Sequence, residues 1–493
     1  MANSLRASTQ GLEIVDRARQ RRGWTKTSTA RWWQDAHTSR ATLRRFWQGE
    51  RIQQDIFIAI CQAVGISNWQ AITAANEVPD SPTPRFHWDE APDLENFYGR
   101  HEELDQLEQW IINDRCKLVV IVGLAGIGKT SLALALSDHI QQKFEKIIWK
   151  SLQTPRPLIS LLDSLLNTLD NPTAAQIEQG IIQLLDYLQK HRCLLILDGW
   201  ETTLEAEQKP TYHQFLQRLS HARHQSCLLI TSREKPSVIE IETKARCLSL
   251  KGLQAADALM LLKAAGFNGQ ELGLSALIKI YRGNPLALKM VTPLIQSLFG
   301  GNVSAFLSQN TWVVGELLRN IFQQQFERLS CLERDLLYWL AIWQEPVSLC
   351  RLQSYLLPST DPCEVLEAIV ALERRSLLEK WWSDEQPSFT LQPLLMKIVK
   401  DKLVEQAAAE ISQVLQTNDL RYFNVLRTHC LLRPGTDVFV GDYLLSRLRE
   451  QLWRVYGPEL QQILERLLGQ LQGKKPLLIG YIACNLVFIS KQF

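Results

Sequence analysis

The feature that most constrains this chain is the run LVVIVGLAGIGKTSLALAL at residues 118–136. A short apolar stretch, a glycine-rich turn and a helix-forming stretch follow one another, which predicts a buried strand feeding a tight loop and then a helix. Gly123, Gly128, Lys129 and Thr130 satisfy the spacing GxxxxGK[ST] in that context. Glycines there let backbone N–H groups turn inward around phosphate oxygens, and the N-terminus of the following helix adds partial positive charge. Gly126 and Ser131 belong to the same cradle. Lys129 would supply a point charge to the β- and γ-phosphates, and Thr130 a hydroxyl to Mg²⁺, so ADP or ATP with Mg²⁺ is the expected ligand.

Further apolar strands, KIIWKSL, CLLILDGW and SCLLITSR, alternate with helical patterns. Such alternation predicts a parallel sheet covered on both faces, with ligands at the carboxyl ends of its strands. Asp198 closes one strand at that edge and is expected to hold the metal; Arg233 closes another and is expected to meet the terminal phosphate. Residue 199 is glycine, which cannot polarise an attacking water. Glu201 is the nearest alternative, and it reaches the site only if the segment turns back. Lys129, Asp198 and Glu201 are therefore the candidate catalytic residues, and any hydrolysis is expected to be slow.

A chain of 493 residues is too long for one ordinary core. The proline-rich stretch NEVPDSPTPRFHWDEAP separates a small N-terminal unit from the rest, and beyond about residue 252 amphipathic helical patterns take over. The expected organisation is a multidomain, mainly α protein with one α/β domain. Residues 1–75 would form a helix-turn-helix-like unit, 76–93 a linker, 94–245 the phosphate-loop domain, 246–315 a helical subdomain, 316–405 a winged-helix unit around the hairpin LLEKWWSDEQPSFTLQP, and 406–493 a C-terminal helical segment. The ten cysteines show neither CxxC pairs nor zinc spacing, which fits a reduced, cytoplasmic setting. No membrane span is expected: the closest stretch, KPLLIGYIACNLVFISKQF, is too short and carries Asn485, so it reads as a buried or frustrated terminal segment.

Net charge is only +2 overall, but residues 1–75 hold eleven Lys or Arg against five acids. Ser39, Arg40, Thr42, Arg44 and Arg45 fall on the second helix of a predicted helix-turn-helix, similar to the domains of small bacterial repressors. On one reading this helix enters a DNA major groove. On the other, Trp32, Trp33, Leu43, Phe46 and Trp47 form a core and the charges face solvent or a protein partner.

Taken in order, FYGRHEEL (97–104), GLAGIGKTSLA, LLILDGW, LLITSR and GNPLALK (283–289) make residues 94–405 resemble the NB-ARC class of STAND switch ATPases. The resemblance implies that Gly99 and Arg100 contact the nucleotide and that Pro285 packs on its base and ribose. It also implies that LQP at 391–393 stands where the family places MHD, so Gln392 replaces the histidine that touches bound ADP. In such proteins the N-terminal unit is an adaptor for a protein effector or for self-association. The whole chain resembles the N-terminal part of cyanobacterial proteins that pair such a unit with NB-ARC and WD or pentapeptide repeats.

Overall fold

The structure, a computed structural model, describes residues 4–26, 29–73, 85–87, 90–93, 96–204, 209–240, 242–309, 315–356, 360–383, 386–433 and 443–491. Much of the stretch read as a linker, and the tip of the hairpin at 384–385, lie outside the described residues. The chain divides into two compact units, Met1–Thr83 and Pro84–Phe493.

In the first unit, β1 (Ser4–Leu5) pairs antiparallel with β2 (Ile52–Gln53), and between and after them run α1 (Thr9–Arg21), α2 (Ala30–Asp35), α3 (Arg40–Trp47) and α4 (Gln54–Ala63). The sequence reading contained no such strand pair. Ser8 and Ser39 cap α1 and α3 by accepting the N–H groups of Gly11 and Thr42. Leu43 and Phe46, three apart on α3, face a core of Val15, Trp32, Phe57 and Ile60. Trp32 is fully buried and donates its indole N–H to the Ile60 carbonyl at 3.3 Å. Trp33 and Trp47, expected in the core, are only partly buried. Cations lie over their rings instead: Arg40 over Trp33 at 5.9 Å and Lys26 over Trp47 at 5.0 Å.

The second unit opens with β3 (Arg85–His87), then α5 (His101–Glu108), β4 (Leu118–Val122), α6 (Lys129–Ile140), β5 (Lys146–Ser151), α7 (Leu158–Thr168), α8 (Ile177–Lys190), β6 (Cys193–Asp198), α9 (Lys209–His221), β7 (Cys227–Ser232) and β8 (Ala245–Ser249). These six strands form one parallel sheet in the order β3-β5-β6-β7-β4-β8. Every residue of β4, β6 and β7 is buried, as helices on both faces require. Two strands differ from the sequence reading. β3 falls inside the stretch read as linker, and β8 straddles the expected boundary at 245/246, because each has a strand edge of the sheet to pair with. The register sets Asp198 opposite Thr231 and Val122 opposite Ser232, which gathers the strand ends at one edge.

Helices then dominate: α10 (Ala255–Ala264), α11 (Leu274–Ile280), α12 (Pro285–Phe299), α13 (Val303–Ser308), α14 (Glu316–Glu327) and α15 (Cys331–Trp343). α15 is buried on nearly all sides from Leu336 to Trp343, because helices and strands close around it. After β9 (Val347–Ser348), α16 (Leu349–Tyr355) and α17 (Pro362–Arg374) comes the expected hairpin, β10 (Glu379–Ser383) with β11 (Gln386–Thr390), to which β9 adds a third antiparallel strand. α18 (Pro393–Thr417) runs straight through the boundary expected at 405/406, with buried residues from Leu394 to Val414. A single core continues from α10 through α18 into α19 (Val425–Thr428), α20 (Tyr443–Tyr456), α21 (Leu460–Leu471) and α23 (Ile482–Lys491), with the short α22 (Pro476–Ile479) joining the last two outside it. The terminal segment is packed and not frustrated: Ile482, Asn485, Leu486 and Ile489 are fully buried. Asn485 accepts the Leu431 N–H and donates to the Leu426 and His429 carbonyls at 2.8–2.9 Å. Among the described residues no helix is long and apolar enough to cross a membrane.

Candidate functional site

The phosphate loop leaves β4 and enters α6 at the C-terminal edge of the sheet, beside a cavity of about 660 Å³. Gly126, Gly128, Lys129, Thr130, Ser131, Asp198, Glu201, Arg233 and Pro285 all line it, so the structure brings most of the sequence-derived candidates together. Gly126 has φ +73, and a Cβ there would fall 2.6 Å from the Leu286 Cβ, so only glycine lets α12 come this close. The contact is tight because Leu286 donates its N–H to the Gly126 carbonyl at 3.2 Å, and Asn284 donates its amide to the Ala125 carbonyl at 3.0 Å.

Lys129 curls over the loop and donates to the carbonyls of Gly123 and Leu124 at 2.9 and 3.0 Å. Burial holds its ammonium down to about 8, with Glu201 and Asp198 opposing that shift. A partly buried ammonium bonded to carbonyls and not to a carboxylate is suited to an anionic ligand such as a polyphosphate. Asp198 is also buried, and its Oδ1 accepts from Thr130 at 2.7 Å and Thr231 at 2.6 Å. Burial raises its pKa, and the two hydroxyls oppose that. Among the described residues no group of three or more His, Cys, Asp or Glu could cage a metal. One carboxylate beside one hydroxyl fits Mg²⁺, which takes its remaining ligands from phosphate and water.

Glu201 does turn back. It sits on a 3₁₀ turn, Trp200–Leu204, that carries it to the cavity wall. There its carboxylate accepts from the Arg233 Nε at 2.9 Å and from the Arg233 backbone N–H at 3.1 Å. Gly199 also lines the cavity, with φ +86.

Four residues expected to contact the nucleotide, Gly99, Arg100, Gly123 and Gln392, are not among those lining the cavity. Arg100, buried and left-handed at φ +67, donates to the Ile127 and Lys251 carbonyls at 3.2 and 2.6 Å and pairs with Glu103 at 2.7 Å; it braces the loop. Gly99, beside it, and Gln392 do not line the cavity, and Gln392 is instead the N-terminal cap position of α18. Gly123 contributes through the carbonyl that receives Lys129. The far wall consists of residues the sequence reading missed: Lys289 of α12, Leu317, Ile321, Gln324 and Gln325 of α14, and Arg328 and Arg375 just beyond α14 and α17. Arg375 reaches it while paired with Glu333 at 2.8 Å. Asn284 had a local signal, since Asn before Pro is a helix-start pattern, and it does cap α12 by accepting the Ala287 N–H. The arginines had none, because only the packing of distant helices puts them there.

In the N-terminal unit, residues 36–39 turn between α2 and α3, with His37 left-handed at φ +48. Arg45 is exposed and paired with Glu50 at 2.9 Å, while Arg40 and Arg44 are partly buried.

Residues 100–272 match the NB-ARC domain family. An uncharacterized WD repeat-containing protein of Nostoc sp. is 33% identical over 98% of this chain, and the chain spans 45% of that relative's length. Among solved structures, a Walker-type ATPase of Pyrococcus abyssi is 12% identical, covering 62% of this chain and 97% of that one with a TM-score of 0.47. A Signal Transduction ATPase with Numerous Domains (STAND) protein with a tetratricopeptide repeat sensor, from Pyrococcus horikoshii, is 19% identical, covering 81% of this chain and 57% of that one with a TM-score of 0.33. With the phosphate loop, an aspartate closing β6 and the sheet order all in place, residues 100–272 of this chain form an NB-ARC domain, a nucleotide-binding P-loop module.

Proposed function

We propose that this chain is a nucleotide-state switch of the STAND kind, holding ADP or ATP with Mg²⁺ and passing the state of the site to an effector. One observation carries the reading: the cavity beside the phosphate loop is walled on its far side by α14 and by Arg375. A ligand seated there touches both the NB-ARC domain and the helices that follow it, so a diphosphate and a triphosphate would present different surfaces to that wall. Lys129 would meet the phosphates, Thr130 and Asp198 would hold Mg²⁺, Arg233 would read the terminal phosphate, and Pro285 would pack on the nucleoside. Bound Mg²⁺ would neutralise charge across the phosphate oxygens.

Hydrolysis would be slow. Gly199 has no side chain, and the Glu201 carboxylate is held by the Arg233 Nε and backbone N–H, so neither residue stands ready to orient water. Lowering a typical turnover of about 10 per second by roughly three decades for a missing base leaves about one turnover per minute or less. The basic N-terminal unit would be the effector, acting in the cytoplasm through a protein partner or self-association; α15 to α18 with their three-stranded sheet read as the winged-helix part. DNA binding by α3 is the second reading, favoured by the short turn between α2 and α3.

The test is to identify the nucleotide that purified protein carries, then to compare proteolysis patterns with ADP and with a non-hydrolysable ATP analogue. Distinct patterns that Lys129→Ala abolishes are expected. Unchanged nucleotide affinity in that variant would overturn the assignment. A gel shift whose strength follows the nucleotide, and falls with Arg44→Ala and Arg45→Ala, would favour the DNA reading.

A further inference from the structure

Glu201 and Arg233 are opposite charges on one cavity wall, and their partnership is closed: Nε to Oε1 at 2.9 Å, backbone N–H to Oε2 at 3.1 Å. Neither carrier can drift. The turn bearing Glu201 is pinned by Trp200, which is buried with its ring edge-on to Tyr212 at 5.3 Å, and by Thr203, whose hydroxyl donates to the Trp200 carbonyl at 2.8 Å. Arg233 directly follows β7, an interior strand of the sheet. Any rearrangement is therefore a choice made by the two side chains. The wall otherwise favours anions: Lys129, Lys289, Arg328 and Arg375 line it with Arg233, against Asp198, Glu201 and Glu234.

We propose that Glu201 is the built-in rival of a terminal phosphate for Arg233 and thereby sets the preference of the site between nucleoside diphosphate and triphosphate. This rests on the nucleotide reading above. A diphosphate seated on the loop leaves the pair intact. A triphosphate brings further negative charge to Arg233, where it must either displace the carboxylate or lie beside it, and both are unfavourable. Arg328 donates to the Glu201 backbone carbonyl at 3.4 Å, so the pair stands at the junction with the far wall, where its opening would be felt by α14. The role differs from that of a general base: a base acts on the rate, whereas a rival acts on relative affinity.

The experiment is calorimetric titration of the full chain, in Mg²⁺, with ADP and with a non-hydrolysable ATP analogue. In Glu201→Gln the ratio of analogue to ADP affinity should rise about tenfold or more, the scale of one charge-assisted hydrogen bond. In the double variant Glu201→Gln/Arg233→Ala the ratio should return to that of Arg233→Ala alone. Should Glu201→Gln fail to fold, Glu201→Asp, which withdraws the carboxylate from Arg233, carries the same expectation. A ratio unmoved by the single variant, or an equal rise without Arg233, overturns the proposal; loss of turnover at constant ratio also overturns it and makes Glu201 a base. Wild-type protein that binds neither nucleotide would bring down the nucleotide reading and this proposal together. Binding of both with the ratio unmoved would bring down this proposal only.

Discussion

Asn284 joins helix α12 to the phosphate loop by both ends of its amide. Its Oδ1 accepts the Ala287 N–H at 3.1 Å and its Nδ2 donates to the Ala125 carbonyl at 3.0 Å, and the side chain is buried. Replacing it with alanine removes a helix cap, which costs about 1 kcal/mol, and leaves the Ala125 carbonyl without that donor in a buried place, about 1–3 kcal/mol more. Asn284→Ala should therefore destabilise the unit from Pro84 onward by about 2–4 kcal/mol. Asn284→Ser keeps a capping oxygen but is too short to reach the loop, so it should recover only about 1 kcal/mol of that loss. Urea denaturation reads the stability. Because Ala125 lines the cavity, ADP titration should show weaker binding in both variants. An Asn284→Ala protein within about 0.5 kcal/mol of wild type, below the smallest of these contributions, and with unchanged ADP affinity would refute the idea that this side chain sets the loop.

Burial holds the fully buried His429 imidazole down to about 4 from 6.5, so its contribution to stability is complete above pH 6.5 and lost as the pH falls toward 4. Burial raises the neighbouring Asp335 carboxyl to about 6, so its contribution is complete below its unfolded value and lost as the pH rises through 6. The two offset each other, and Asp335→Asn should expose a decline of about 3 kcal/mol between pH 7 and 4 that is steeper than in wild type; equal slopes in pH-dependent denaturation would count against it. Asn485→Leu should lower stability by about 3 kcal/mol or more, because an N–H and two carbonyls lose their partner at once, and an unshifted thermal transition would show that the terminal helix is not anchored there. Gly199→Asp should lower stability by about 1 kcal/mol, since φ is +86, yet raise phosphate release by placing a carboxylate at the cavity. Wild-type turnover of several per second would contradict the slow-switch reading.

The phosphate loop and Asp198 were legible because their chemistry is carried by neighbours in sequence. A run of buried β residues, three glycines and a Lys-Thr pair specify strand, turn and helix within 19 residues, and the end of an apolar strand in a parallel sheet places its last residue at the ligand edge. The hairpin at 379–390 was legible from two short extended runs around a polar turn. What the sequence left open depended on groups distant along the chain. β3 and β8 are short, and only the edge of the sheet they pair with makes strands of them. The apolar terminal stretch looked unsatisfied until α20 and α21 supplied its other side. Gln392 was placed at the site by alignment alone, whereas Arg328 and Arg375 reach the cavity from helix ends more than a hundred residues beyond the loop. Glu201 was within sight of Asp198 in sequence, but whether it faced the cavity or away was decided by a single 3₁₀ turn held in place by a buried tryptophan. Local covalent geometry and hydrophobic period determine which elements form and what each presents; which charges meet across a cavity is set by packing between elements, and no short window of sequence contains that information.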